Sequence, residues 1–223
     1  MKDTVRQIID IEWEMFHNVN RDRRENCQDQ QRTFELMRNA QYDAWNEETR
    51  LSYLEDLKKA VADGRSLVRE KYIHMMKNME PENYEAFKSE LKDVTDKKIA
   101  LSEEIWSHLL AQTEKIREKY PVLALGGRPL HASEEKGWAS VETYQKGELL
   151  TFSEKTLELL LQHIKDLEAQ GKDLAYMIQE NSILCLGYKT MEEAEVAMAK
   201  QFMNDLGVTV QQGCTSCQVP DEE

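Results

Sequence analysis

Residues 46–67, NEETRLSYLEDLKKAVADGRSL, and residues 153–174, SEKTLELLLQHIKDLEAQGKDL, decide the fold. Each reads as one amphipathic helix that breaks at a glycine, Gly64 or Gly171, where a left-handed residue closes a helix cheaply. In the first, Leu51, Leu54, Leu57 and Val61 form the expected apolar stripe. Sliding residues 34–76 onto 141–183, an offset of 107 without gaps, pairs Glu35 with Glu142, Glu47 with Glu154, Thr49 with Thr156 and Leu54 with Leu161. It also pairs Lys58 with Lys165, Ala62 with Ala169, Gly64 with Gly171 and Leu67 with Leu174. Two amphipathic helices can match by composition alone, and that alternative stays open. The shared glycines favour a true repeat, because each stands at the same helix break.

Working outward, helical periodicity covers about 3–18, with Val5, Ile8, Ile9, Met15 and Phe16 on one side, and about 31–45, with Phe34, Met37, Ala44 and Trp45 inward. Further helices carry Leu67, Val68, Tyr72 and Met75, then Tyr84 and Phe87 after Pro81, then Ile99 to Thr113 on a long helix over 96–119. Tyr120-Pro121 ends that helix, and a loop with Gly126-Gly127-Arg128-Pro129 follows. Helices recur at about 139–151, 153–170 and 172–186, and Thr190-Met-Glu-Glu193 reads as a capping box. The expected fold is therefore all-α: a multi-helix bundle of two divergent tandem modules, residues 1–95 and 96–207, related by a pseudo-twofold axis. Residues 208–223 are expected to be a tail, with the only strand-like alternation at Val208-Thr209-Val210.

The balance of 42 acidic against 29 basic residues, a net charge of −13, argues against nucleic acid or an anionic membrane surface as partner. No apolar run approaches the ~20 residues of a membrane span. Met1-Lys2-Asp3-Thr4 passes directly into an amphipathic helix rather than a signal peptide, so a cytoplasmic location is expected. Four scattered cysteines are too few for a disulfide-stapled fold.

Polar residues inside apolar stripes are the candidates for chemistry. Glu12 lies at the centre of the first stripe, whereas Glu14 points away; a carboxyl group there needs a partner or a proton. Gln41 falls between Phe34, Met37 and Trp45, with Arg38 one turn back, and Glu148 takes the place equivalent to Gln41 in the second module. An ion pair that fixes helix packing explains these residues as well as a ligand site does. Glu103 and Arg117 border the long helix and read as solvated charges, while Gly126-Gly127-Arg128-Pro129 could hold an anion or simply turn the chain. Glu14-x-x-His17 has the spacing of a di-iron ligand pair, but it occurs once and faces outward, so no metal site is expected. Cys27 reads as a loop cysteine without an assignable base, Cys185 as a core residue, and Cys214-x-x-Cys217 as a dithiol without the context of a redox or zinc site.

Ile11-Glu12-Trp13-Glu14-Met15-Phe16, then Cys27-Gln28, Phe34, Met37-Arg38, Gln41 and Trp45, resemble a bacterial family catalogued as domain of unknown function 4125. Tyr53 to Leu57, Glu70-Lys71-Tyr72, Lys119-Tyr120-Pro121, Gly127-Arg128-Pro129, Gly147-Glu148-Leu149 and Ser153 to Leu157 continue the likeness over residues 1–195. Arg21 to Glu25 depart from it, standing where glycines are expected. The resemblance implies no activity; it places Glu12, Trp13, Cys27, Arg38, Gln41, Trp45, Arg128 and Glu148 in the family's motifs.

These observations lead to an expected small polar or anionic metabolite bound between the modules. Glu12 and Glu148 would serve as acid/base or hydrogen-bonding groups, and Arg38 and Arg128 as anchors. Cys27 and Gln41 would contact the ligand, and Trp13, Trp45 and Trp106 would wall the pocket. The alternative is a helical groove presented to a protein partner. Neither a cofactor nor a reaction is identified by the sequence.

Overall fold

A computed structural model describes residues 3–19, 26–131 and 139–205, with the side chains of Asn26 and Cys27 outside the described set. Also outside it are much of the loop containing Arg21 to Glu25, and Val208-Thr209-Val210, Cys214 and Cys217. Among the described residues there are eleven α-helices and no strand. The first five are α1 (Thr4–His17), α2 (Gln31–Asp43), α3 (Glu47–Ala62), α4 (Leu67–Met79) and α5 (Pro81–Phe87). The remainder are α6 (Asp96–Lys119), α7 (Pro121–Leu125), α8 (Val141–Leu149), α9 (Glu154–Ala169), α10 (Leu174–Cys185) and α11 (Met191–Asp205). No helix is long and apolar enough to cross a membrane.

The two deciding stretches become α3 and α9, each of 16 residues. Asn46 and Ser153 cap them by accepting from the amides of Thr49 and Thr156, at 2.9 and 3.2 Å. Gly64 and Gly171 leave them at φ +70° and +72°, the left-handed region that a side chain disfavours. At Thr190 the hydroxyl accepts from the Glu193 amide at 3.1 Å, but the Glu193 carboxylate takes the Lys189 amide instead of closing the reciprocal half of a capping box.

Helix α3 packs on α1 and α9 on α6, while α3 and α9 pack on each other. The next contacts cross over: α2 packs on α10, and α8 packs on α4. A single core results, with Ile8, Leu57, Ile105, Leu157 and Ile164 almost wholly buried in it. A smaller cluster of Tyr120, Ile183, Met191 and Ala194 seats α11.

Several side chains turn opposite to expectation. Met37 is 55% exposed, because α2 presents Arg38 and Tyr42 inward, one residue or about 100° round from the apolar stripe. Leu51 and Val61 on α3 are exposed while Thr49 and Ser52 go inward, where Ser52 Oγ lies 2.8 Å from Thr156 Oγ1 of α9. Ile99 is exposed on the first turns of α6, and Cys185, expected in the core, is exposed at the end of α10. The chain after Tyr120, expected to be loop, forms the short helix α7, whose first amides bond the Glu195 carboxylate of α11. For α2, α3 and α7 the expectation from one segment lost to contacts with a neighbouring helix.

Replacing Gly64 or Gly171 by alanine forces a side chain into the left-handed region and should lower unfolding free energy by about 1–2 kcal/mol. The two sites are separate, so the double variant should show nearly the sum in urea titrations. Nothing lies within 4 Å of either would-be Cβ, so strain rather than collision would be measured.

Candidate functional site

Four ionisable side chains from four helices meet in the interior. Glu12 of α1, Arg38 of α2, Lys71 of α4 and Glu148 of α8 have side chains only 1, 7, 3 and 5% exposed. Arg38 is the hub: its Nη1 donates to Gln41 Oε1 at 2.8 Å and lies 2.8 Å from Glu148 Oε1, while its Nε lies 3.3 Å from Glu12 Oε2. Gln41 Nε2 donates to Glu148 Oε2 at 3.3 Å. Tyr42 and Tyr53 both donate to Glu12 Oε1, at 2.8 and 2.7 Å. Lys71 donates to Tyr144 Oη at 2.7 Å, and its Nζ stands 3.7 Å from Glu148 Oε1.

Local packing sets these positions. Glu12, Ile8 and Ile9 share the buried face of α1, so the carboxyl group is carried inward with the aliphatic anchors. On α8, Gly147 lets the helix press against α4: a Cβ there would stand 2.8 Å from Met75 Cγ and 3.1 Å from the Lys71 carbonyl oxygen. That approach brings Glu148, the next residue, to Arg38 and Lys71. Trp45 backs the tyrosines, with ring centroids 5.1 Å from Tyr42 and 5.9 Å from both Tyr53 and Phe152.

The charges support one another. Burial opposes the charge on Arg38, but Glu12 and Glu148 more than offset it and hold its pKa well above the ordinary value. Burial likewise opposes ionisation of Glu148, and Arg38 with Lys71 overcomes it, keeping this carboxyl below the usual range. Burial pushes the Tyr42 and Tyr53 hydroxyls well up, so both remain donors to Glu12.

One atom is left over. Glu12 Oε2 is buried and accepts no hydrogen bond, since Arg38 Nε approaches it without aiming a proton at it. Glu12 lines a crevice walled also by Arg38, Tyr53, Lys71, Glu148 and Thr151, too narrow for a water-sized sphere. A roomier groove of about 620 Å³ lies away from this seam, between α6 and α10, lined by Lys115, Lys119, Lys172, Tyr176 and Met177.

Of the residues singled out in the sequence, Glu12, Arg38, Gln41 and Glu148 converge, with Gln41 only half-buried. Trp45 packs against this cluster's tyrosines. Arg128 is exposed; its guanidinium stacks over the Tyr144 ring at 5.5 Å, reaching the network through that residue. Trp13 joins a separate aromatic group with Phe34, Phe16 and His17, and Trp106 is buried in the core without contacting the network's charges. The Cys27 side chain lies outside the described residues. Glu103 is a surface partner of Lys146, and Arg117 donates to the Arg128 carbonyl. Among the described residues no group of three or more His, Cys, Asp or Glu gathers as metal ligands would.

Sequence reasoning missed Lys71, Tyr42, Tyr53 and Tyr144. Lys71 carried a usable signal, because it lies four residues from both Leu67 and Met75 within an apolar stripe, the same anomaly that marks Glu12. The tyrosines carried none, since a tyrosine is at home on any buried face.

Substituting Arg38 by Met removes the hub and strands two buried carboxyl groups, a loss of about 3–5 kcal/mol by urea titration. Acid should also destabilise the fold in two stages. His74, pushed down to about 4 by burial with Lys98 and Lys77 nearby, is favoured neutral in the fold; its contribution is complete above its ordinary 6.5 and disappears as the pH falls towards 4. Glu148, held low in the fold, contributes at neutral pH and loses that contribution as the pH falls through its depressed value. Stability measured against pH should therefore flatten between 6.5 and 4 in His74→Gln, and an unchanged slope would show that another group titrates there.

The family described as Protein of unknown function (DUF4125) matches residues 2–196, a span that contains every residue of the network. No curated protein and no solved structure matches the chain. A match over most of the 223 residues, on an all-helical chain, shows that this protein belongs to the DUF4125 family.

Proposed function

We propose that residues 1–95 and 96–207 form two related helical modules, and that the protein binds a small polar metabolite at the buried network where they meet. Glu12 and Glu148 serve there as acid/base or hydrogen-bonding groups. Equal lengths of α3 and α9, their equivalent caps and their two left-handed glycines support the duplication. So does the helix pairing, in which α1 on α3 corresponds to α6 on α9 and α2 on α10 corresponds to α8 on α4. The hydrogen bond from Gln41 to Glu148 joins residues 107 apart, equivalent positions meeting beside the axis.

The duplication supplies an internal control. At the 107-residue offset Tyr42 corresponds to Leu149, Tyr53 to Leu160 and Lys71 to Ile178, while aligning Trp13 with Trp106 sets Glu12 against Ile105. At these four positions one module carries an aliphatic side chain where the other carries a charge or a hydroxyl, while Arg38 corresponds to Gln145. Apolar packing usually stabilises such positions as well as ion pairs do or better, so packing alone does not ask for the network. The observation that carries the reading is Glu12 Oε2, a buried acceptor without a hydrogen bond on a crevice walled by charged groups. The crevice is closed at present dimensions, so binding requires the seam between α4 and α8 to part.

A second reading, a protein-interaction surface, draws on exposed Leu125 of α7, Leu184 and Leu186 around the end of α10, and Val196, Phe202 and Met203 of α11. Mass spectrometry of small molecules released on denaturing the purified chain tests the first reading. Wild type should release a polar compound in near-stoichiometric amount, and Glu12→Gln should release far less. Extracts indistinguishable from buffer, together with a partner protein lost on Leu186→Glu, would favour the interaction surface instead.

A further inference from the structure

We infer that the ligand of this network is a zwitterion, a small molecule carrying both an ammonium and a carboxylate, as a free amino acid does. The inference rests on the ligand-binding reading above and narrows it. Two charged groups on the crevice, of opposite sign, keep hydrogen-bonding capacity that their neighbours do not use. Glu12 Oε1 is occupied by two tyrosine hydroxyls, whereas Oε2 has the Arg38 ion pair at 3.3 Å but no hydrogen bond; Glu12 lines the crevice, where an ammonium would donate to that oxygen. Lys71 Nζ lies beyond hydrogen-bonding distance of Glu148 at 3.7 Å, with Tyr144 Oη its one close acceptor at 2.7 Å. A ligand carboxylate would complete it.

Charge balance points the same way. The network holds two acidic groups and two cations, so it is neutral as it stands. A ligand of one charge would add an unpaired ion to a site almost sealed from water, and a purely anionic ligand would also oppose Glu12 and Glu148. A zwitterion exchanges like for like: its carboxylate replaces Glu148 beside Lys71, its ammonium supplies the hydrogen bond that Glu12 Oε2 lacks, and net charge does not change. The crevice has no room for a water-sized sphere, so this exchange accompanies the parting of α4 from α8. The 3.7 Å contact from Lys71 of α4 to Glu148 of α8 is the longest ion pair of the network and spans those two helices. Tyr144, the half-buried ring bonded to Lys71, stands between the network and exposed Arg128.

Titration calorimetry and thermal shift on the full chain, with each of the twenty free amino acids beside its decarboxylated amine and its N-acetyl derivative, test the inference. At least one amino acid should bind about tenfold or more tightly than both of its derivatives. Glu12→Gln, which keeps shape and hydrogen-bonding capacity, should weaken that amino acid about tenfold; Lys71→Met serves the same purpose should Glu12→Gln fail to fold. An amine or N-acetyl acid that binds as tightly as its parent overturns the zwitterion while leaving a polar ligand at the network. Absence of binding across all three sets also overturns it, and the denaturation extracts then decide the broader reading separately: a released compound keeps it, an empty extract ends it.

Discussion

Arg38 holds the centre of this protein. One guanidinium touches carboxyl groups from α1 and α8 while lying on α2, so three helices are tied through a single planar cation. Inside a low-dielectric interior such an arrangement stands only when every charge has a counterpart, because an ion without one costs several kcal/mol. The surrounding structure follows from that demand. Tyr42 and Tyr53 turn their hydroxyls to Glu12, Gln41 bridges Arg38 and Glu148, and Lys71 balances the second carboxylate. Even the exposure of Met37 is a consequence, since α2 must face Arg38 inward and carries its neighbour out.

Small residues make the meeting geometrically available. Gly147 removes the methyl group that would strike Met75 and the backbone of α4, and Ser52 and Thr156 let α3 and α9 touch through hydroxyls rather than bulky side chains. Asp56 then reaches across to accept from the Ser153 amide at 2.9 Å, so a side chain of one helix helps cap another more than ninety residues away. Crossed packing of α2 on α10 and α8 on α4 interlocks the halves of the chain and leaves the charged network at their seam. An apolar frame thereby surrounds a polar centre.

Much of this could be read from the residues in order. The helices over 4–17, 31–43, 47–62, 96–119 and 154–169 follow from apolar spacing, and their ends follow from Asn46, Gly64, Pro121 and Gly171. Glu12 announced itself by standing on an apolar face, Arg38 by lying on the flank of a stripe, and Glu148 by its equivalence to Gln41. Which face of α2 would turn inward did not follow, because Phe34 and Met37 made a better stripe than the one the fold uses. Leu51 and Val61 misled for the same reason; Trp106 went into the core, and half-buried Trp13 packs on Phe34, whose ring lies 5.7 Å from the Arg38 guanidinium.

Local chemistry therefore determined the helices, their caps and the three charged residues that had to find partners, because propensity, capping and the cost of burying charge act over one or two turns of chain. Only the tertiary structure decided that Tyr42, Tyr53, Lys71 and Tyr144 would be those partners, that one oxygen of Glu12 would go without, and that the seam would be closed. Those outcomes depend on helix orientations set by Gly147, Ser52 and Thr156 across distances of about a hundred residues, which no periodicity within a single segment records.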